Sequence, residues 1–101
     1  MRIEVLYVPG CPNYQSTMEM VATVLASESV LERAQGVAVS TEAQAKSLEF
    51  PGSPTVRVNG RDVEPTQTLR PALACRIYEP GSGVPPEPLF RAAILKAKRE
   101  E

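Results

Sequence analysis

The run IEVLYV, residues 3 to 8, is β-branched and aromatic with Glu4 as its one charge, and Pro9-Gly10 cuts it off. Such a run suits a strand buried on both faces. From Tyr14 the period changes. Tyr14, Met18, Val21 and Leu25 recur at spacings of four, three and four, so they share one face of a helix running to about Ser27. A strand that passes into a helix through PGCPN puts Cys11 at or just before the first helical turn. Pro12 fits there, because its missing N–H costs nothing at the first helical position.

Further along, SVLERAQ reads equally as an extension of the helix or as a loop, and GVAVS as a short second strand. Thr41 with Gln44 has capping-box spacing and opens a short helix through about Leu48. Two strands joined by a crossover helix should lie parallel in one sheet. Thr55 to Val58 alternates apolar and polar, and Asn59-Gly60 is a two-residue hairpin turn into Arg61-Asp62-Val63. At the end, Leu89 or Phe90, Ala93, Ile94 and Ala97 fall on one face of a closing helix. Pro88 lies near its start, and Lys96, Lys98 and Arg99 form a solvated end beside the negative pole of its dipole. The Pro-rich stretch before it is the least readable, and ACRIY there has the character of a short extra strand.

At 101 residues and 43% apolar content the chain has material for one core, so residues 1–101 are read as a single domain. The net charge of −1, without a basic stripe, gives no support to nucleic acid or a membrane surface as a partner. A strand pattern stands where a signal peptide needs an apolar stretch behind positive charge, so a cytoplasmic location is expected. In a reducing compartment a pair of cysteines, here Cys11 and Cys75, is more often catalytic, redox-sensing or metal-binding than structural. The absence of histidine removes Cys–His dyads, Ser–His–Asp triads and imidazole zinc sites.

The order β-α-β-α-β-β-α, with Cys11-Pro12 after the first strand and Ser53-Pro54-Thr55 before the third, resembles the thioredoxin-like superfamily, glutaredoxin-like members most closely. The resemblance covers roughly residues 2 to 63 and 86 to 98 and leaves 64–85 as an insertion. It implies an α/β fold with a mixed four-stranded sheet and helices on both faces. It also makes Cys11 the nucleophile and Pro54 a cis-proline that packs against its sulfur and leaves the backbone of Ser53 open to an extended thiol substrate. Pro12, Ser53, Pro54 and Thr55 become the substrate-binding positions. Dipole physics agrees, since a sulfur beside unpaired helix N–H groups is favoured as thiolate.

The chain departs from the family's C-x-x-C motif, because Tyr14 stands where the resolving cysteine would be. The hairpin returns the chain toward the end of the sheet that carries Cys11, so Cys75 is a candidate resolving thiol. A bridge closing that loop would stabilise by roughly 4 kcal/mol in the chain-entropy model. The segments Gly10-Cys11-Pro12, Gly52-Ser53-Pro54-Thr55, Asn59-Gly60-Arg61-Asp62 and Cys75-Arg76-Ile77-Tyr78 also resemble small bacterial thioredoxin-like proteins sometimes labelled alkylmercury lyase-related.

Three functions follow. The first is a thiol–disulfide redox module using Cys11 and Cys75, with a thiol-containing protein or small-molecule thiol as partner. The second is a thiophilic metal or organomercurial site on the same two thiols, with Asp62 as the nearest proton donor. The third is a scaffold in which Cys11 is a buried filler, as free cysteines often are. Tyr7 and Tyr14 read as core or rim aromatics. No cofactor and no resident metal is assigned.

Overall fold

The computed structural model describes residues 1–64, 73, 74, 76, 78 and 81–100. Among them a four-stranded mixed sheet and three helices form an α/β fold, in the order β1 (Ile3–Tyr7), α1 (Tyr14–Ser27), β2 (Gln35–Ala38), α2 (Glu42–Ser47), β3 (Thr55–Val58), β4 (Arg61–Asp62) and α3 (Glu87–Glu100). The sheet order is β2-β1-β3-β4. β1 runs parallel to β2, as the crossover helix requires, and antiparallel to β3. Asn59 and Gly60 both take positive φ, 52° and 81°, which a type I′ turn demands, and β3 pairs with β4 through them.

Side-chain alternation along β1 divides the core. Ile3 and Val5 pack with Val56 and Val58 against Val21, Val24 and Leu25 of α1 and Phe90, Ile94 and Ala97 of α3. On the opposite face Leu6 joins Val39, Ala45 and Phe50 beneath α2. Helices thus cover both faces of the sheet. No helix among the described residues is long and apolar enough to cross a membrane.

Both of the first two helices stop without glycine. At the end of α1, Ser29 turns left-handed (φ 57°), its N–H bonds to the Ala26 carbonyl, and the Val30 N–H reaches back to Leu25 at 2.9 Å. At the end of α2, Glu49 (φ 51°) bonds to Lys46 and Phe50 to Ala45 at 2.8 Å. These are Schellman closures, and the residue after each left-handed position folds back onto the core. The SVLERAQ stretch is therefore a turn and loop, and β2 begins one residue before the expected Gly36. The capping box forms as expected: Gln44 N–H donates to the Thr41 hydroxyl at 3.1 Å, and the Gln44 side chain accepts from Thr41 N–H at 3.2 Å.

Helices α1 and α3 are also tied by charge. Arg91 donates to Glu28 at 2.5 Å and to Ser27 Oγ at 2.9 Å. Lys98, expected at a purely solvated end, donates to the Glu28 carbonyl at 2.9 Å. Since α1 has no basic residue in its own last turn, α3 supplies the cations that its carbonyl end favours.

Candidate functional site

The Cys11 loop is two successive turns. Val8 accepts from the Cys11 N–H at 3.0 Å across Pro9-Gly10, with Gly10 at φ 87°, the pattern of a type II turn. Cys11 then accepts from the Tyr14 N–H at 3.3 Å across Pro12-Asn13. The helix begins at Tyr14, so Cys11 precedes its first residue by one full turn and Pro12 lies outside the helix. Asn13 occupies the N-cap with helical φ and ψ and makes no capping hydrogen bond with its side chain. Thr17, buried on α1, returns its hydroxyl to the Asn13 carbonyl at 2.7 Å. Cys11 is half-buried and Pro12 exposed.

Tyr14 stacks on Tyr7 with ring centroids 3.8 Å apart and 21° between planes. Its hydroxyl lies over Gly36 of the edge strand β2, where any Cβ would collide with it. Burial, then the neighbouring Tyr7, raises the Tyr14 pKa above the ordinary tyrosine value. Tyr14 thus packs its ring between Tyr7 and the Gly36 backbone, three residues after Cys11.

The Ser53–Pro54 bond is cis. Ser53, Pro54 and Thr55 are all buried, and Ser53 is only 1% exposed. The Val8 N–H donates to Ser53 Oγ at 3.0 Å, so Val8 links this loop directly to the Cys11 turn. The main-chain groups of Ser53, expected to be open, are taken. Its N–H donates to the Ala74 carbonyl at 2.7 Å, and its carbonyl accepts from the Arg76 N–H at 2.9 Å. Gly52, at φ 140°, permits this approach: a Cβ there would lie 3.0 Å from Arg76 Cβ and 3.2 Å from the Ala74 oxygen. Cys75 and Ile77 of the expected ACRIY strand lie outside the described residues. The chain neighbours of Cys75, Ala74 and Arg76, are the residues bonded to Ser53.

Arg76 and Tyr78 fasten that segment from within. The guanidinium of Arg76, a residue 3% exposed, donates to Asp62 Oδ2 at 2.6 Å, to the Glu64 carbonyl at 2.5 Å and to Thr55 Oγ1 at 3.2 Å, and lies 4.5 Å over the Tyr78 ring. Its Nε is buried and has no hydrogen-bond partner among the described residues. The fully buried Tyr78 donates its hydroxyl to the Pro54 carbonyl at 2.6 Å. Asp62, considered from the sequence as a proton donor for a lyase, uses both oxygens as acceptors, since Oδ1 takes the Glu64 N–H at 2.9 Å. Among the described residues no group of three or more His, Cys, Asp or Glu side chains could hold a metal. Sequence reading singled out Cys11, Ser53, Pro54 and Thr55 and gave no role to Arg76 or Tyr78. The signal available was their spacing of two, which in a stretch read as a strand places both side chains on one face.

Burial raises the Tyr78 pKa well above the ordinary tyrosine value; Arg76 opposes the shift, and Asp62 and Glu64 add to it. The folded state therefore holds the phenolic proton more tightly than the unfolded chain does. This contribution is complete below about pH 10 and is lost as pH rises toward the folded value, at about 1.4 kcal/mol per pH unit. In urea titrations from neutral pH to about pH 11, Tyr78→Phe should flatten the alkaline fall in stability. At neutral pH the variant should lose about 1–3 kcal/mol, because the buried Pro54 carbonyl loses its donor. An unchanged alkaline slope would mean that the phenol is not buried as described.

No protein-family model, curated protein or solved structure matches this chain.

Proposed function

We propose that the chain is a thioredoxin-like thiol–disulfide exchange module in which Cys11 is the nucleophile and Cys75 the resolving thiol. One observation carries this reading. Val8 bonds at once to the Cys11 turn and to the Ser53–Pro54 loop, and Ser53 in turn bonds to both chain neighbours of Cys75. The half-buried sulfur-bearing residue, the cis-proline loop and the segment carrying the second thiol thus belong to one hydrogen-bonded unit.

The chemistry balances without a cofactor. The Cys11 thiolate attacks one sulfur of a substrate disulfide, forming a mixed disulfide, and the departing thiolate takes a proton from water. Cys75, giving up its proton, then attacks the Cys11 sulfur and displaces the second substrate thiolate. The substrate gains two electrons as its disulfide becomes two thiols. The protein dithiol becomes a Cys11–Cys75 disulfide, which a low-molecular-weight thiol or dithiol reduces for the next cycle.

Two mass measurements test this. Air-oxidised protein should weigh two hydrogens less than reduced protein, and the deficit should vanish in either single Cys→Ser variant. Iodoacetamide at neutral pH should modify Cys11 at least about tenfold faster than Cys75. Equal, slow alkylation of both thiols with no oxidised form would instead leave a scaffold in which Cys11 is inert.

A further inference from the structure

We propose that the chain's own segment at Ala74 and Arg76 is a permanent occupant of the Ser53 main-chain edge, so that the Cys11 site takes low-molecular-weight disulfides and offers an extended polypeptide no added affinity through its main chain. This deepens the redox reading of the same site and rests on it.

An extended polypeptide is recognised by adding its backbone to unpaired N–H and C=O groups, which supply affinity in a sequence-tolerant way. Beside the Cys11 turn, the backbone that could serve is Ser53, one hydrogen bond away through Val8. Both its main-chain groups are already paired, to Ala74 and Arg76. The occupant is not loosely laid down. The Arg76 guanidinium is anchored to Asp62, Glu64 and Thr55, the Tyr78 hydroxyl to the Pro54 carbonyl, and the segment sits so close to Gly52 that a Cβ would press on it. Displacing it would expose a buried guanidinium and carbonyl groups, which is costly for any incoming strand to offset. From another side the loop is hemmed in by Gly83, whose missing Cβ leaves room for the Asn13 side chain. Among the described residues Pro12 is exposed beside a half-buried Cys11, a setting for a substrate that brings a sulfur and little main chain.

The step is the exchange described above, with the small disulfide as oxidant: a Cys11–substrate disulfide forms, the substrate's own S–S bond breaks, and its other half leaves as a thiol. The test compares two probes on the reduced full-length chain, with the adduct on Cys11 followed by mass spectrometry. One is bis(2-hydroxyethyl) disulfide. The other is a short linear peptide whose single cysteine, flanked by β-branched residues, is joined in a disulfide to 2-mercaptoethanol. The two rate constants should agree within about threefold, because no main-chain pairing is on offer to the peptide. Gly52→Ala, which pushes on Ala74 and Arg76, should raise the peptide-to-small ratio by about tenfold. Tyr78→Phe, a milder release should the first variant fail to fold, should raise it by about fivefold. Amide hydrogen exchange should find the Ser53 and Arg76 N–H groups protected and unaltered by added peptide.

A wild-type protein that reacts tenfold or more faster with the peptide, or an unprotected Ser53 amide, overturns the proposal while leaving the redox reading in place. Cys11 reacting with both probes no faster than N-acetylcysteine overturns the reading, and the proposal falls with it.

Discussion

Replacing Arg76 with methionine should lower the unfolding free energy by about 3–5 kcal/mol, the cost of breaking a buried ion pair by removing one partner. The Arg76 side chain is 2% exposed and the Asp62 side chain 17%, so solvent cannot replace what is lost. Among the described residues the Asp62 carboxylate keeps the Glu64 N–H alone, and the Glu64 carbonyl loses the guanidinium donor. For a domain whose total stability lies in the range of about 5–15 kcal/mol, such a loss brings the chain close to unfolding. The urea midpoint should fall with an unchanged slope, and the effect should persist at high salt, because a buried pair is poorly screened. Replacing both partners at once, Arg76→Met with Asp62→Leu, should recover most of the loss, since the uncompensated charge disappears with its partner. A loss below about 1 kcal/mol in the single variant would place the guanidinium in water and undo the account of how the segment is fastened.

The contrast between this network and the sheet explains what a reader of the residues can see. β1, the Asn59-Gly60 hairpin, the Thr41–Gln44 box and the faces of α1 and α3 are local: period, propensity and turn chemistry all lie within a few consecutive residues. The helix stops at Ser29 and Glu49 were hidden because the left-handed position is filled by a residue that pays a conformational cost, which the back-folding of Val30 and Phe50 offsets. Thr17 reads as a polar break in the apolar stripe of α1, yet it is fully buried because its hydroxyl finds the Asn13 carbonyl. Arg76 was the hardest to foresee. An arginine in a Pro-rich stretch reads as exposed, and only tertiary structure brings Asp62, Thr55 and the Glu64 carbonyl around it. At the site, Cys11 and the Ser53–Pro54 pair were legible from their place at element ends. The occupation of Ser53 was not, because it depends on a backbone contact across more than twenty residues that leaves no side-chain pattern.

Phe90→Ala should cost about 3–5 kcal/mol, the range for truncating a large buried aromatic side chain. Phe90 is fully buried on α3 within the cluster built from β1, β3 and α1. Alanine would leave a void in that cluster, whose members on β1, β3, α1 and α3 belong to packed secondary structure that cannot collapse freely into it. The position tests topology as well as packing. α3 is reached only after the stretch that crosses to Ser53, and it closes the same face of the sheet as α1, with Arg91 and Lys98 capping the end of α1 from outside. If α3 is an integral layer, Phe90→Ala lowers the urea midpoint of the whole domain in a single transition, and near-ultraviolet and far-ultraviolet signals move together. Leu95→Ala, on the outer side of the same helix at 39% exposure, should stay within about 0.5 kcal/mol of the parent and so separates packing from helix propensity. A Phe90 variant that loses helix signal in an early, separate step would show that the layer docks weakly, and the shared core of α1 and α3 would have to be redrawn.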